Sequence, residues 1–144
     1  MSYWEKNTLI LGLGSLLGGS FYFAFVLWQS LALGALAAPS LYVWLGYIVF
    51  QFGISTAGAL LMANRSELAD LKTFPGATDE RDTLIRTRAE AGQGHVASIF
   101  VFISMAAWFV HVSAAILFHS LVAALVLSEL FRCGLQLFSY RRGV

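Results

Sequence analysis

Four long apolar runs occupy most of this chain, and they constrain its fold more than any other feature. The runs cover residues 8–28, 41–63, 94–112 and 117–138. Each is close to the roughly 20 residues that a helix needs to cross the hydrocarbon core of a bilayer. A backbone in lipid must satisfy its own N–H and C=O groups, which makes these runs helical. The sequence therefore predicts an all-α integral membrane four-helix bundle built from two antiparallel transmembrane hairpins.

Composition supports a membrane environment. The chain has 144 residues, of which 58% are hydrophobic and 12% are charged, whereas soluble domains carry about 25% charged residues. A soluble domain of this size has too much surface to hide so many apolar side chains. The net charge of +1 gives no electrostatic reason to expect a nucleic acid partner. The single cysteine, Cys133, excludes an intrachain disulfide and a cysteine metal cluster.

Charge placement predicts the orientation. All nine lysines and arginines lie before the first run, between the second and third runs, or from Arg132 onward. The segments 29–40 and 113–116 contain none. Because positive charge is retained in the cytoplasm, we expect both termini and the loop 64–93 on the cytoplasmic side, within a single membrane domain, 1–144. Lys6 followed by an apolar run imitates a secretory signal, but the run exceeds the roughly 7–15 residues of a signal core.

Small residues within the first two runs predict close helix packing. Gly14 and Gly18 form a GxxxG pattern, and Gly53 and Ala57 repeat the spacing. Such residues let helix backbones approach in lipid, where burial of apolar surface gives no driving force. Contacts within the chain and contacts with another helix both remain open at this point.

Glu129 and Arg132 are the most informative charged residues. A charge within a spanning helix costs about 2.5–3.5 kcal/mol on insertion scales, and the i, i+3 spacing lets the two residues pair. Gln136 and Tyr140 continue the same stripe. The pair is interpreted as a structural neutralised pair, as an interface with another subunit, or as part of a proton-coupled transporter that uses Glu129. Pairing with Arg132 removes the free carboxylate that transport needs, and the sequence offers no continuous polar lining.

Three histidines are candidate cofactor ligands. His95, His111 and His119 lie in or near the last two runs, where imidazoles can ligate a haem, a pigment or a metal. The alternative is hydrogen bonding near the membrane interface. No nucleophilic triad and no phosphate-binding glycine loop is recognisable, so we expect neither an enzyme nor a dedicated metal site.

A charged segment precedes the third run. It contains the candidate docking residues Asp79, Glu80, Arg81, Asp82, Ile85 and Arg86. Acidic residues in a first turn suit the helix dipole, so a helix is expected to start here and to run into the third span, with Gly92 and Gly94 permitting a hinge. The segment is either a self-neutralising helix start or a protein-docking surface.

The same segment carries a family resemblance. Asp79-Glu80-Arg81-Asp82, followed by Ile85 and then by a membrane span, resembles small uncharacterised bacterial four-span membrane proteins with a cytoplasmic DERD-x-x-I motif. The resemblance covers residues 79–112. It implies a bacterial inner-membrane protein that holds or senses a cytoplasmic partner, because some family members occur beside small transcription regulators.

The expected function is that of a non-catalytic accessory or regulatory membrane protein. It would act through helix contacts and through the cytoplasmic loop, with another membrane protein or with itself. The alternatives are a cofactor carrier that uses the three histidines and a small transporter that uses Glu129.

Overall fold

The structure is a computed structural model, which describes residues 3–62, 80–110 and 112–142. Its four helices are α1 (Tyr3–Leu33), α2 (Leu41–Met62), α3 (Glu80–Phe109) and α4 (Ala114–Arg142). No strand occurs within these residues, which confirms the all-helical prediction. All four helices are long and apolar enough to cross a membrane.

Two short connections lie at one end of the molecule, which we call the loop end. Gly34 follows α1 with φ of +66°, a left-handed conformation that ends helices. The carbonyl of Ser40 accepts the N–H of Trp44 at 3.0 Å and so begins α2. At the second connection the carbonyl of Ser113 accepts the N–H of Leu117 at 3.2 Å. The opposite end, which carries both termini, is the terminal end.

Helix α3 is longer than the span predicted for it. Residues 80–93, placed from sequence before the third span as a charged helix start, are helical and continue into the apolar part without a break. The Arg86–Glu90 ion pair, at 3.0 Å, supports this charged portion. Gly92 is a packing residue and not a hinge, because an added Cβ would lie 2.9 Å from Leu135 Cδ1 of α4. Asp79 lies outside the described residues.

The helices form an open arrangement. Helices α1 and α4 are the central pair, α2 packs on α1, and α3 packs on α4. The two expected hairpins are therefore present, but α2 and α3 do not pack along each other. The four helices therefore do not form a closed ring of helix contacts.

The α1–α4 contact follows a repeat of alternating three- and four-residue steps. On α1 the contact positions are Thr8, Gly12, Ser15, Gly19, Tyr22 and Val26. On α4 they are His119, Val122, Val126, Cys133 and Gln136, and Glu129 occupies the position between Val126 and Cys133 in the same repeat. This spacing is the one that packs two helices at a small crossing angle. Most of these side chains are small or polar, so the seam between the central helices is polar for much of its length.

Candidate functional site

The Glu129–Arg132 pair lies on α4 beside α3. Arg132 Nε donates to Glu129 Oε2 at 3.1 Å, and Arg132 Nη2 donates to Glu129 Oε1. Gln93 Nε2 of α3 donates to Glu129 Oε2 at 2.8 Å. The side chains of Arg132 and Glu129 are only 13% and 19% exposed. A bidentate guanidinium and an amide donor thus satisfy the carboxylate, which is the condition under which a buried charge is tolerated.

A cavity of about 350 Å³ adjoins this pair. We call it the lateral cleft. All four helices line it, through Ser15 of α1, Tyr47, Ile48, Gln51 and Phe52 of α2, Gln93 of α3, and Leu125, Ser128 and Glu129 of α4. Phe52 is 71% exposed and Leu125 is 58% exposed. The cleft therefore has a polar interior and an apolar, open rim.

Ser15 is the least satisfied side chain of the lateral cleft. It is 1% exposed, and its hydroxyl has no hydrogen-bond partner. Serines within helices commonly donate to the carbonyl four residues back, and a buried polar group left unpaired costs about 1–3 kcal/mol. Ser128, across the cleft, donates to the Leu125 carbonyl at 3.1 Å and keeps acceptor capacity.

A second polar cavity lies toward the terminal end. This terminal cavity has a volume of about 390 Å³ and is lined by Thr8, Asp82, Thr83, Arg86, Thr87, Glu90, Arg132, Gln136 and Tyr140. At its base the Thr8 hydroxyl donates to Gln136 Oε1 at 2.8 Å. Arg132 lines the terminal cavity and Glu129 lines the lateral cleft. The ion pair therefore stands between two cavities that are lined by polar groups.

A third polar cluster fixes the first connection at the loop end. His119 Nε2 lies 3.0 Å from the Ala37 carbonyl, and His119 Nδ1 lies 2.9 Å from the Tyr22 hydroxyl. Because a carbonyl only accepts, Nε2 carries a proton, and in the neutral ring Nδ1 accepts from Tyr22. The Ala37 N–H donates to Ser30 Oγ at 2.9 Å. These bonds hold the segment after α1 against the central helices.

The histidines do not converge on one site. Both ring nitrogens of His119 are used in the cluster above, so ligation by this residue requires breaking a hydrogen bond. His95 is exposed and bonds through Nδ1 to the Ala91 carbonyl of its own helix, at 2.8 Å. His111 lies outside the described residues. Within the described part of the chain, no group of three metal-binding side chains comes together.

The predicted docking motif is divided between two faces of α3. Ile85 is 4% exposed and packs inside the molecule, which leaves it almost no surface for a docking partner. Asp82 is half-buried and lines the terminal cavity. Glu80 and Arg81 are exposed. Arg86 is also exposed and pairs with Glu90. Helical periodicity explains the division, because residues three or four apart share a face.

The predicted small-residue pairs differ in their surroundings. An added Cβ on Gly14 would lie 2.6 Å from Ile54 Cγ2, and one on Gly18 would lie 3.0 Å from Phe50 Cδ1. These two glycines therefore pack α1 against α2. Gly53 has no other atom within 4 Å of an added Cβ, and Ala57 is exposed. Among the described residues the second pair therefore has no close neighbour on another helix, and its role in helix packing stays a prediction.

Sequence reasoning overlooked several of the residues that build these sites. Thr8, Ser15, Tyr22 and Gln93 received no role, although the seven-residue spacing of the first three was visible in the sequence. Gln93 carries no such signal, because only the packing of α3 on α4 brings it to Glu129. Comparison of the chain with protein-family models, with curated proteins and with solved structures finds no match.

Proposed function

We propose that this chain is a non-catalytic accessory or regulatory protein of the bacterial inner membrane, with both termini in the cytoplasm. It works by holding another membrane protein or a second copy of itself against α2. The observation that carries the proposal is a set of small, uncovered residues on that helix: Gly46, Gly53 and Ala57. We call this set the α2 small face.

The α2 small face is suited to close helix contact. Apart from the backbone of α2 itself and the adjacent residues, no atom of the described residues lies within 4 Å of an added Cβ at Gly46 or at Gly53. Gly46 also borders an apolar groove of about 670 Å³ between α1 and α2. Glycine lowers helix stability by about 0.8–1.0 kcal/mol relative to alanine, which is unfavourable where nothing approaches. Helices associate in lipid through such small residues, because these let backbones come close.

The ion pair also favours a contact function over transport. Exchange of a proton or cation at Glu129 requires a carboxylate that is free to release its partners. The Glu129 carboxylate accepts hydrogen bonds from Arg132 and from Gln93. Resemblance of the segment around Glu80 to the bacterial four-span proteins further supports a partner on the cytoplasmic side, where Glu80 and Arg81 are exposed.

The test is native mass spectrometry of the full-length protein, released gently from its own membrane. We expect a mass above the 15.7 kDa of the bare chain, either as a multiple or with the increment of a second protein. Gly46→Ile with Gly53→Ile should return the mass to that of one chain, because branched side chains keep a second helix away.

Gly134→Ile is the matched control. Gly134 of α4 also has open space at its Cβ position, but it lies outside the α2 small face. This variant should keep the assembly seen for the unaltered chain. A bare single-chain mass for the unaltered protein, or equal loss of assembly in the control, would contradict the proposal.

A further inference from the structure

We infer that the lateral cleft binds an uncharged lipid whose head carries hydroxyl groups. This inference goes beyond the contact function proposed above and uses a different side of α2. Gln51 of the cleft and Gly53 of the α2 small face are two positions apart, so the helix turns them to different sides. The two sites can be tested separately.

The entrance of the lateral cleft determines where its ligand comes from. Residues of both α2 and α3 line the cleft, and these two helices do not pack along each other. Its rim carries the exposed side chains of Phe52 and Leu125. In a helix long and apolar enough to cross a membrane, such side chains face acyl chains. A ligand therefore enters sideways from the bilayer, and its apolar part remains between the rim residues.

The charge of the cleft determines that the ligand head is neutral. Among the described residues that line it, Glu129 is the only acidic one, and its charge is balanced by the bidentate contact with Arg132. A cationic or anionic head would enter an environment of low polarity without a counter-charge, which is strongly unfavourable. A polar but uncharged head does not meet this penalty.

The hydrogen-bonding groups determine the chemistry of that head. The buried Ser15 hydroxyl has no partner and can both donate and accept. Ser128, whose proton is used by Leu125, and the Glu129 carboxylate can only accept from a ligand. A hydroxyl group matches both kinds of partner, whereas an ester or ketone oxygen would leave the acceptors unmatched. The volume of about 350 Å³ is within the range of small-molecule sites.

Photolabelling tests the inference. The full-length protein is placed in phosphatidylcholine vesicles with a monooleoylglycerol that carries a diazirine in its chain. We expect the label on the peptides that contain Phe52 and Leu125. Unlabelled monooleoylglycerol should compete with the probe. Methyl oleate has the same chain and no hydroxyl, so the same competition should require a concentration about tenfold higher, as expected for the loss of one or two hydrogen bonds.

Two variants and their controls separate binding from folding. Ser15→Ala removes an unpartnered hydroxyl, so the fold is retained while labelling falls about fivefold; Ser20→Ala, at an exposed serine of the same helix, leaves labelling unchanged. Leu125→Trp narrows the mouth and lowers labelling, whereas Leu127→Trp, outside the cleft, does not. Thermal unfolding verifies that each variant folds.

Three outcomes would overturn the inference. The first is label spread evenly over the exposed apolar surface. The second is equal competition by the two unlabelled compounds. The third is a disulfide between two chains that carry Phe52→Cys in a Cys133→Ala background, which would show that a second copy covers the cleft. Gly46→Ile with Gly53→Ile should leave labelling intact, so failure of the contact function and failure of this site are distinguishable.

Discussion

Arg132 is the residue on which the Glu129 carboxylate depends most. It supplies two of the three nitrogen donors to that group, and Gln93 supplies the third. Isolated charges are much more costly inside a protein or a bilayer than paired ones. The stability of the α3–α4 contact therefore depends on keeping both members of the pair or on removing both.

Arg132→Leu should lower the free energy of unfolding by about 3 kcal/mol, because it leaves a largely buried carboxylate without its counter-ion. The double variant Glu129→Gln with Arg132→Leu should recover most of that loss, since a glutamine is neutral and can still bond to Gln93. Denaturant titration in lipid nanodiscs measures the free energy of unfolding of the single variant and of the double variant. Equal losses in the single and double variants would show that the charge is not the cause.

His119 acts on the segment between α1 and α2. Replacing it by leucine removes the bonds to Tyr22 and to the Ala37 carbonyl. We expect amide hydrogen exchange in residues 34–40 to become about tenfold faster, which corresponds to a loss of about 1.4 kcal/mol in local stability. His95→Leu is the control, because His95 bonds only within its own helix in the structure. Unchanged amide hydrogen exchange of residues 34–40 in the His119→Leu variant would contradict this role of His119.

At the scale of helices, the contact between α1 and α4 depends on small residues at defined steps. Gly12 faces Cys133 and Gly19 faces Val126, with an added Cβ at 3.2 Å from Cys133 Cβ and at 2.6 Å from Val126 Cγ1. Because α1 and α4 approach each other closely at these two glycines, the side chains of Thr8 and Ser15 lie in the interior of the molecule. The glycines thus bring the polar side chains of the two helices together.

Gly19→Ala should destabilise the protein by about 1–3 kcal/mol, because the new methyl group overlaps the stiff side chain of Val126. Gly94→Ala, which meets open space, should stabilise it by up to about 1 kcal/mol through helix propensity. Thermal unfolding in detergent compares the two. The double variant Gly19→Ala with Val126→Ala should lose less unfolding free energy than the two single variants lose together. Strict additivity of the two losses would argue against the overlap.

For the whole molecule, the open arrangement of four helices places all the described charged residues toward one end. Hydrogen bonding between Thr8 and Gln136 shows that the start of α1 and the last part of α4 share that end. The terminal cavity adds the start of α3. The positive-inside rule then predicts that this end faces the cytoplasm.

Single cysteines introduced into a Cys133→Ala background test that orientation. Positions Glu5, Arg88 and Arg141 should react with a membrane-impermeant maleimide only from the cytoplasmic side, because they lie at the terminal end. Positions Leu36 and Ser113, at the loop end, should react only from the opposite side. Reaction of the cysteines at positions 5 and 141 from different sides of the membrane would contradict the fold. Reaction of the terminal-end cysteines from outside and of the loop-end cysteines from the cytoplasm would contradict the orientation.

The sequence by itself determined the helices and the nearness of Glu129 to Arg132. Four apolar runs can satisfy their backbones in lipid only as helices, and a spacing of three residues brings the two charged side chains onto one face of α4. These are local consequences of helix geometry. The lengths of the helices were less well determined. Hydrophobicity alone places the start of the third apolar run at residue 94, whereas α3 begins at Glu80, because charged residues outside an apolar run can also form helix.

Only the tertiary structure decided which residues share a site. Ser15, Gln51, Gln93 and Glu129 belong to four different helices, and no spacing in the sequence brings them to the lateral cleft. Gly14 and Gly53 each begin a pair of small residues spaced by four positions. Gly14 nevertheless packs between helices, whereas Gly53 is exposed. Periodicity defines the faces of a single helix, whereas the choice of which faces meet depends on packing between helices, because lipid makes all apolar faces nearly equivalent.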